Sequence, residues 1–275
     1  MKKYIYIIIV FTLNICYSQK ILIPMDNVQK DHLKAYGIAF HSLQQSNDIE
    51  WILNYRGGSF LLDDYANLQK ICTIRGVSFE IVDSQKLSEI LVIVEENNMD
   101  LVLLEKEPKI AVYSPPDNQP WDDAVTLALT YAEIDYDVIF DDEVIDGSIK
   151  DYDWLHLHHE DFTGQYGKFY KSFRNAQWYR KMENDFNIIA EEHGFDSVHK
   201  LKKKVAQNIK EYIINGGFLF AMCSATDSFD IALASKDVDI ASAPFDGTPI
   251  DNNYQSKLNF NNAFAFENYE LYTDP

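Results

Sequence analysis

Cysteine is scarce in these 275 residues: Cys16, Cys72 and Cys223 are all there is. Positive charge is short as well, with 24 Lys and Arg against 43 Asp and Glu and a net charge of −19. A chain this negative repels phosphate backbones and anionic lipid surfaces, because binding either one depends on Lys and Arg displacing counterions. Nucleic acid is therefore excluded as a partner. Long apolar runs are missing too, apart from the first. Residues 4–15 are almost uninterrupted hydrocarbon behind Lys2 and Lys3, and Cys16, Tyr17 and Ser18 precede Gln19. This is the layout of a secretory signal peptide over residues 1–18, and its apolar run is too short to stay in a bilayer as an anchor. Removing it takes away two lysines and no acid, which moves the net charge from −19 to −21. The mature protein is expected to be exported, periplasmic or extracellular, and free of the membrane.

What remains is 47% hydrophobic over the whole chain, enough for one large core or two small ones. Residues 20–25 read as a short strand, Leu33, Tyr36, Phe40 and Leu43 recur at helical spacing, and Ile49, Trp51 and Leu53 alternate as a strand. Asp64 is placed to cap a second helix with Tyr65, Leu68 and Ile71 on one face, closed by Gly76 before a strand at 78–82. Cys72 falls four residues after Leu68 on that apolar stripe. A buried free thiol is expected there, although export would permit pairing with Cys223. Leu87, Ile90, Leu91 and Val94 mark a third helix.

From Lys109 the alternation restarts, with strands at 110–114, 138–140, 152–158 and 218–222. Pro120, Asp122 and Asp123 open a helix after the first strand. Val198, Leu201, Val205, Ile209 and Tyr212 line a long helix that Gly216 and Gly217 end. Strands separated by helices of this length predict βαβ units, hence an α/β fold of three layers with a mainly parallel sheet. Two halves, 19–107 and 108–275, meet at a seam near Pro108. After Ala234 the pattern fades, and Phe264-Ala265-Phe266 reads as the opening of a strand in a chain that continues past Pro275.

Cys223 follows a buried strand and precedes a helix that starts near Asp227. A nucleophile on such a bend takes a strained backbone, so the residues two before and two after it must be small, as Ala221 and Ala225 are. A helix N-terminus aimed at the thiol favours thiolate. The competing reading is a buried structural cysteine, with Ser224 and Asp227 as an ordinary capping box. The second constellation is His156, His158, His159, Glu160 and Asp161. His156 and His158 share a strand face with Trp154, at the C-terminal end of a parallel strand, where α/β proteins bind ligands. Three readings stay open: a hydrogen-bonded cluster, a base role for His158 or His159 with Glu160 orienting it, and a zinc site. For the last, His-x-His followed by acids is similar to the metallo-β-lactamase type, but Glu160-Asp161 replaces its Asp-His ending. No metal and no other cofactor is expected.

Residues 162–182 contain no acid but carry Lys168, Lys171, Arg174, Arg180 and Lys181 among Tyr166, Phe169, Tyr170, Phe173, Trp178 and Tyr179. They form either a lid offering cations and aromatic faces to an anionic or sugar-like ligand, or an insertion that packs its own aromatics. Arg56, Gly57 and Gly58 are a candidate anion-binding turn. With Tyr166, Lys168 and Ser224 they complete the candidate contacts to a small-molecule ligand.

The order at 205–234, an amphipathic helix, Asn215-Gly216-Gly217, a hydrophobic strand, a cysteine and a helix, resembles the class I glutamine amidotransferase-like fold around its nucleophile. The likeness spans roughly residues 109–234 and implies that Cys223 attacks a carbon at the carboxyl or amide level. That family flanks its cysteine with glycines and serves it with a His-x-Glu pair further along. Here the flanks are alanines and the last histidine is His199. Over the mature chain, Leu53-Asn54-Tyr55-Arg56-Gly57-Gly58-Ser59-Phe60, His156-Leu157-His158-His159-Glu160-Asp161-Phe162 and Ala221-Met222-Cys223-Ser224-Ala225-Thr226-Asp227 are similar to phrases in exported bacterial proteins labelled asparagine synthetase B. Members of that family are longer at the C-terminus, and the label implies ATP-dependent glutamine hydrolysis. The nearest match to a Ser-Gly-Gly-x-Asp-Ser ATP loop, Ser224-Ala225-Thr226-Asp227-Ser228, has neither glycine. A binding protein without turnover is the third expectation.

Overall fold

The structure, a computed structural model, describes residues 19–115, 124–164 and 167–273, without the side chain of Lys168. The expected leader, the expected helix start at Pro120, Asp122 and Asp123, and Tyr166 lie outside the described residues. The chain divides into two units: one runs to Glu107 and includes Tyr131–Ile134, and the other consists of Pro108–Thr130 and Asp135–Pro275.

In the first unit β1 (Lys20–Ile23) leads through α1 (His32–Gln44) to β2 (Ile49–Leu53), which folds back as β3 (Ser59–Asp63). α2 (Leu68–Arg75), β4 (Glu80–Val82), α3 (Ser84–Glu96) and β5 (Asp100–Leu104) follow. The sheet order is β4-β1-β3-β2-β5, and every pairing is antiparallel. This corrects the expectation of a mainly parallel sheet. Strands joined through a helix do run the same way, but β3 slots between β1 and β2 and reverses the ladder. Alternation of strands and helices sets the direction of each connected pair, not which strand lies beside which.

Both faces of this sheet are covered. Ile21 and Ile23 pack with Ala35, Ile38, Leu68 and Cys72, while Leu22 between them faces Ile90 and Val94 of α3, as the two-residue period of a strand requires. The stripe of α1 is rotated from the expected one: Leu33 and Tyr36 are exposed, and Ala35, Ile38 and Ala39 are buried beside Phe40 and Leu43. Asp31 caps this helix by accepting the Lys34 amide at 2.9 Å. α2 is preceded by a left-handed Asn67, not capped by Asp64, whose carboxylate accepts from Gln69 at 2.6 Å instead. Cys72 is a free, fully buried thiol, and burial pushes its pKa up to about 11.

In the second unit β6 (Ile110–Tyr113), α4 (Ala124–Ala132), β7 (Asp137–Ile139), α5 (Asp141–Asp146) and β8 (Trp154–Leu157) alternate. α6 (Gly167–Phe173), α7 (Gln177–Glu192) and α8 (Val198–Ile214) then separate β8 from β9 (Phe218–Ala221), and α9 (Ser224–Ala234) follows directly. The strands form a parallel sheet in the order β7-β6-β8-β9, so this unit is α/β as expected. Tyr113, Leu155 and Leu157 pack on one face against Val144, Tyr179, Leu201, Val205 and Phe229. On the other, the His156 ring stacks on Phe220 at 5.6 Å.

The cationic aromatic stretch is helical and partly inward. Phe162 and Tyr179 are fully buried, Tyr170 packs on Phe245, and Phe169, Phe173 and Trp178 form an exposed cluster. Arg174 lies over the Tyr170 ring, and Lys181 pairs with Asp185. Among the described residues no helix is long and apolar enough to cross a membrane.

Phe264-Ala265-Phe266 does not open a strand. Their three amides converge on the carboxylate of Asp230, a buried residue of α9, at 2.9, 2.7 and 2.8 Å. Hydrogen bonds to a charged acceptor are roughly twice as strong as neutral ones, and losing the acceptor strands three donors. Asp230→Ala is expected to lower stability by about 3 kcal/mol in urea unfolding, with Asp230→Asn intermediate. A change within about 0.5 kcal/mol would show that the segment is held by other contacts.

Candidate active site

Parallel strands release the chain at the same rim of a sheet. β8 and β9 are neighbours with Leu157 opposite Ala221, so His158 and His159 emerge beside Met222 and Cys223. The two exits are laced together. Met222 donates its amide to the Leu157 carbonyl at 2.9 Å and Ala225 to that of His158 at 3.2 Å. The Ser224 hydroxyl donates to the His159 carbonyl at 3.1 Å, and that of Ser228 to the Glu160 carbonyl at 2.7 Å. The loop after β8 is thereby fastened to the first turn of α9.

Two residues, Met222 and Cys223, carry the chain from strand to helix. So short a reversal leaves Cys223 at φ 50, ψ −136, a conformation that side chains with a Cβ avoid at about 1–3 kcal/mol. Ala225 behind it is fully buried. The structural reading of this cysteine does not hold: the thiol is exposed, and Ser224 and Asp227 form no capping box. Asp227 instead accepts from the Thr226 hydroxyl at 2.8 Å.

One nitrogen each of half-buried His158 and His159 and the sulfur of Cys223 lie within 4.8 Å of one another. The two imidazole centroids are 3.7 Å apart. An exposed thiol beside two imidazoles can act as a nucleophile with a base, and the same three atoms can hold a soft or borderline metal ion. Glu160 takes up the loop itself, its Oε2 accepting the His158 amide at 2.7 Å. His156 is fully buried and bonds the Phe220 carbonyl through Nδ1 at 3.1 Å, so it belongs to the sheet. No protein-family model matches the chain, and neither a curated protein nor a solved structure does.

Arg56 belongs to the first unit, where its guanidinium meets Asp26 at 2.8 Å and Glu80 at 2.5 Å. Gly57 has φ 84, and a Cβ there would come within 2.4 Å of the Met25 carbonyl oxygen; Gly58 has φ 93. The turn is built for the β2–β3 hairpin. Lys168 stands in α6.

One group near the loop escaped the sequence reading. A cavity of about 50 Å³ is lined by Glu160, Asp161, Gly164, Pro115, Phe140, Phe186, Val198 and Lys202. At Gly164, φ 69, a Cβ would meet the His199 backbone at 2.6 Å. The buried Lys202 ammonium donates to both oxygens of buried Asp141 at 2.7 and 2.8 Å and to the Tyr113 hydroxyl at 2.9 Å, and sits 4.1 Å over the Phe140 ring. Burial, then the Asp141 charge, raises the Tyr113 pKa well above that of a free phenol. The signal was present: Lys202 falls four residues after Val198 and three before Val205, inside the apolar stripe of α8, although the run Lys202-Lys203-Lys204 looks like a solvated face.

The strain at residue 223 is directly measurable. At ordinary positions alanine is more stable than glycine by roughly 0.5–1 kcal/mol. Here Cys223→Gly is expected to be more stable than Cys223→Ala by about 1 kcal/mol in urea unfolding, because only glycine takes this backbone freely. The ordinary ranking would show that the bend is not strained.

Proposed function

We propose that the protein is an exported cysteine-dependent hydrolase with a class I glutamine amidotransferase-like second unit, acting on a small molecule at the carboxyl or amide oxidation level. The observation that supports this most is the left-handed backbone of an exposed Cys223 at a strand–helix junction with two imidazoles in reach. A nucleophile held this way stands clear of its own chain, and in a nucleophile elbow the amide of the following residue, here Ser224, contributes to the oxyanion hole.

In this reading the sulfur attacks the carbonyl carbon and its proton passes to the imidazole pair of His158 and His159. Collapse of the tetrahedral intermediate breaks the carbon–nitrogen bond, and the imidazolium returns the proton to the leaving amine. Water then cleaves the thioester, releasing the acid and the free thiol. The histidines precede the nucleophile in the chain, where the amidotransferase family places its His-x-Glu after it. Function depends on geometry and not on chain order, as unrelated triads show. Glu160 positions the loop through the His158 amide. The ATP-dependent asparagine synthetase reading is less favoured, because the Ser224 and Ser228 hydroxyls of the would-be ATP loop are engaged by the carbonyls of His159 and Glu160.

Alkylation tests the proposal. At pH 6 iodoacetamide is expected to label Cys223 at least about tenfold faster than a free small-molecule thiol, as peptide mass mapping would read, while buried Cys72 stays unlabelled until unfolding. His158→Ala with His159→Ala is expected to bring the rate back to that of the free thiol. Labelling of Cys223 no faster than the free thiol in the native protein would remove the nucleophile and leave a binding cleft.

A further inference from the structure

The sequence pattern points any metal toward His156 and His158 with neighbouring acids. The structure points elsewhere: His156 is sealed in the sheet, and the convergent donors are His158, His159 and Cys223. Their three donor atoms lie within 4.8 Å of one another. Around tetrahedral zinc, bond lengths of about 2.0–2.1 Å to nitrogen and 2.3 Å to sulfur set neighbouring donors roughly 3.3–3.6 Å apart. The difference is at most about 1.2–1.5 Å, which side-chain rotations close. The backbones that carry the donors are already tied, through Ala225 to His158 and Ser224 to His159, so little ordering is needed on binding.

The donor chemistry narrows the ion. Two imidazoles and a thiolate suit zinc and its soft or borderline neighbours, and not magnesium or calcium, which require oxygen ligands. Cys223 is exposed, so water is available as the fourth ligand of such an ion. We propose that His158, His159 and Cys223 bind one Zn²⁺-class ion, and that this ion and an attacking Cys223 exclude one another. On binding, the metal gives up water ligands, the Cys223 S–H proton leaves to solvent, and a metal–sulfur bond takes its place. A thiolate so held has its reactive lone pair engaged. The mutual exclusion, though not the binding, rests on the nucleophile reading above.

The test uses untagged full-length protein stripped with a chelator. Cobalt(II) is added first, because a thiolate bound to it gives an intense charge-transfer absorption that imidazole or carboxylate ligands do not. The expected result is such a band saturating at one ion per chain, bleached by zinc, absent in Cys223→Ser, and requiring about tenfold more cobalt in His158→Ala or His159→Ala. Zinc should also slow iodoacetamide labelling of Cys223 at least about tenfold, with recovery on adding chelator. Circular dichroism shows that each variant is folded. No thiolate band, or a band that survives Cys223→Ser in folded protein, overturns the metal site. Fast labelling without a band removes the metal and keeps the nucleophile; a band with slow labelling of metal-free protein keeps the metal and removes the nucleophile.

Discussion

Lateral pairing of β8 with β9 is the constraint on which the site depends. In a parallel ladder both strands end at one rim, and with Leu157 opposite Ala221 the residues that follow cannot avoid one another. Sixty-three residues of chain, including α6, α7 and α8, lie between His159 and Cys223, yet the ladder returns the second to the side of the first. The hydrogen bonds that continue past the strand ends turn this adjacency into a defined geometry. Loss of register by one residue would turn every side chain of β9 to the opposite face and carry Cys223 away from the imidazoles.

The strain at Cys223 is tolerable because its surroundings over-determine it. Fully buried Ala225 behind it, the amide bonds of Met222 and Ala225, and the hydroxyl bonds of Ser224 and Ser228 all hold the bend from outside the strained residue. Below the loop, Lys202 and Asp141 neutralise each other in a region closed by aromatic rings. Such a pair contributes little net stability against a hydrocarbon replacement, but removing one partner leaves a buried charge. The strongly acidic chain thus keeps one of its few cations inside, under the loop that carries Glu160 and Asp161.

Much of the second unit was legible. Its four strands, the long apolar face of α8 and the strand–cysteine–helix order follow from local hydrophobic period and turn residues, which are properties of adjacent sequence. The first unit was read less well for a specific reason. Strand β3, between Gly58 and Asp64, went unrecognised, and a hairpin strand inserted between two helix-linked strands converts a parallel sheet into an antiparallel one. Phe264-Ala265-Phe266 was misassigned because its donors find a carboxylate 34–36 residues away, a partner that no local pattern announces.

The amino-acid sequence alone determined the four strands of the second unit and the long helix α8, which cysteine sits on an apolar stripe, and that small residues flank Cys223, since each depends on neighbours a few positions apart. Only the tertiary structure decided that Cys223 is exposed in a left-handed backbone, that its companions are His158 and His159 while His156 is sealed away, and that Lys202 is buried against Asp141. These outcomes depend on which strands lie side by side and in what register, and that is settled by packing between residues tens of positions apart.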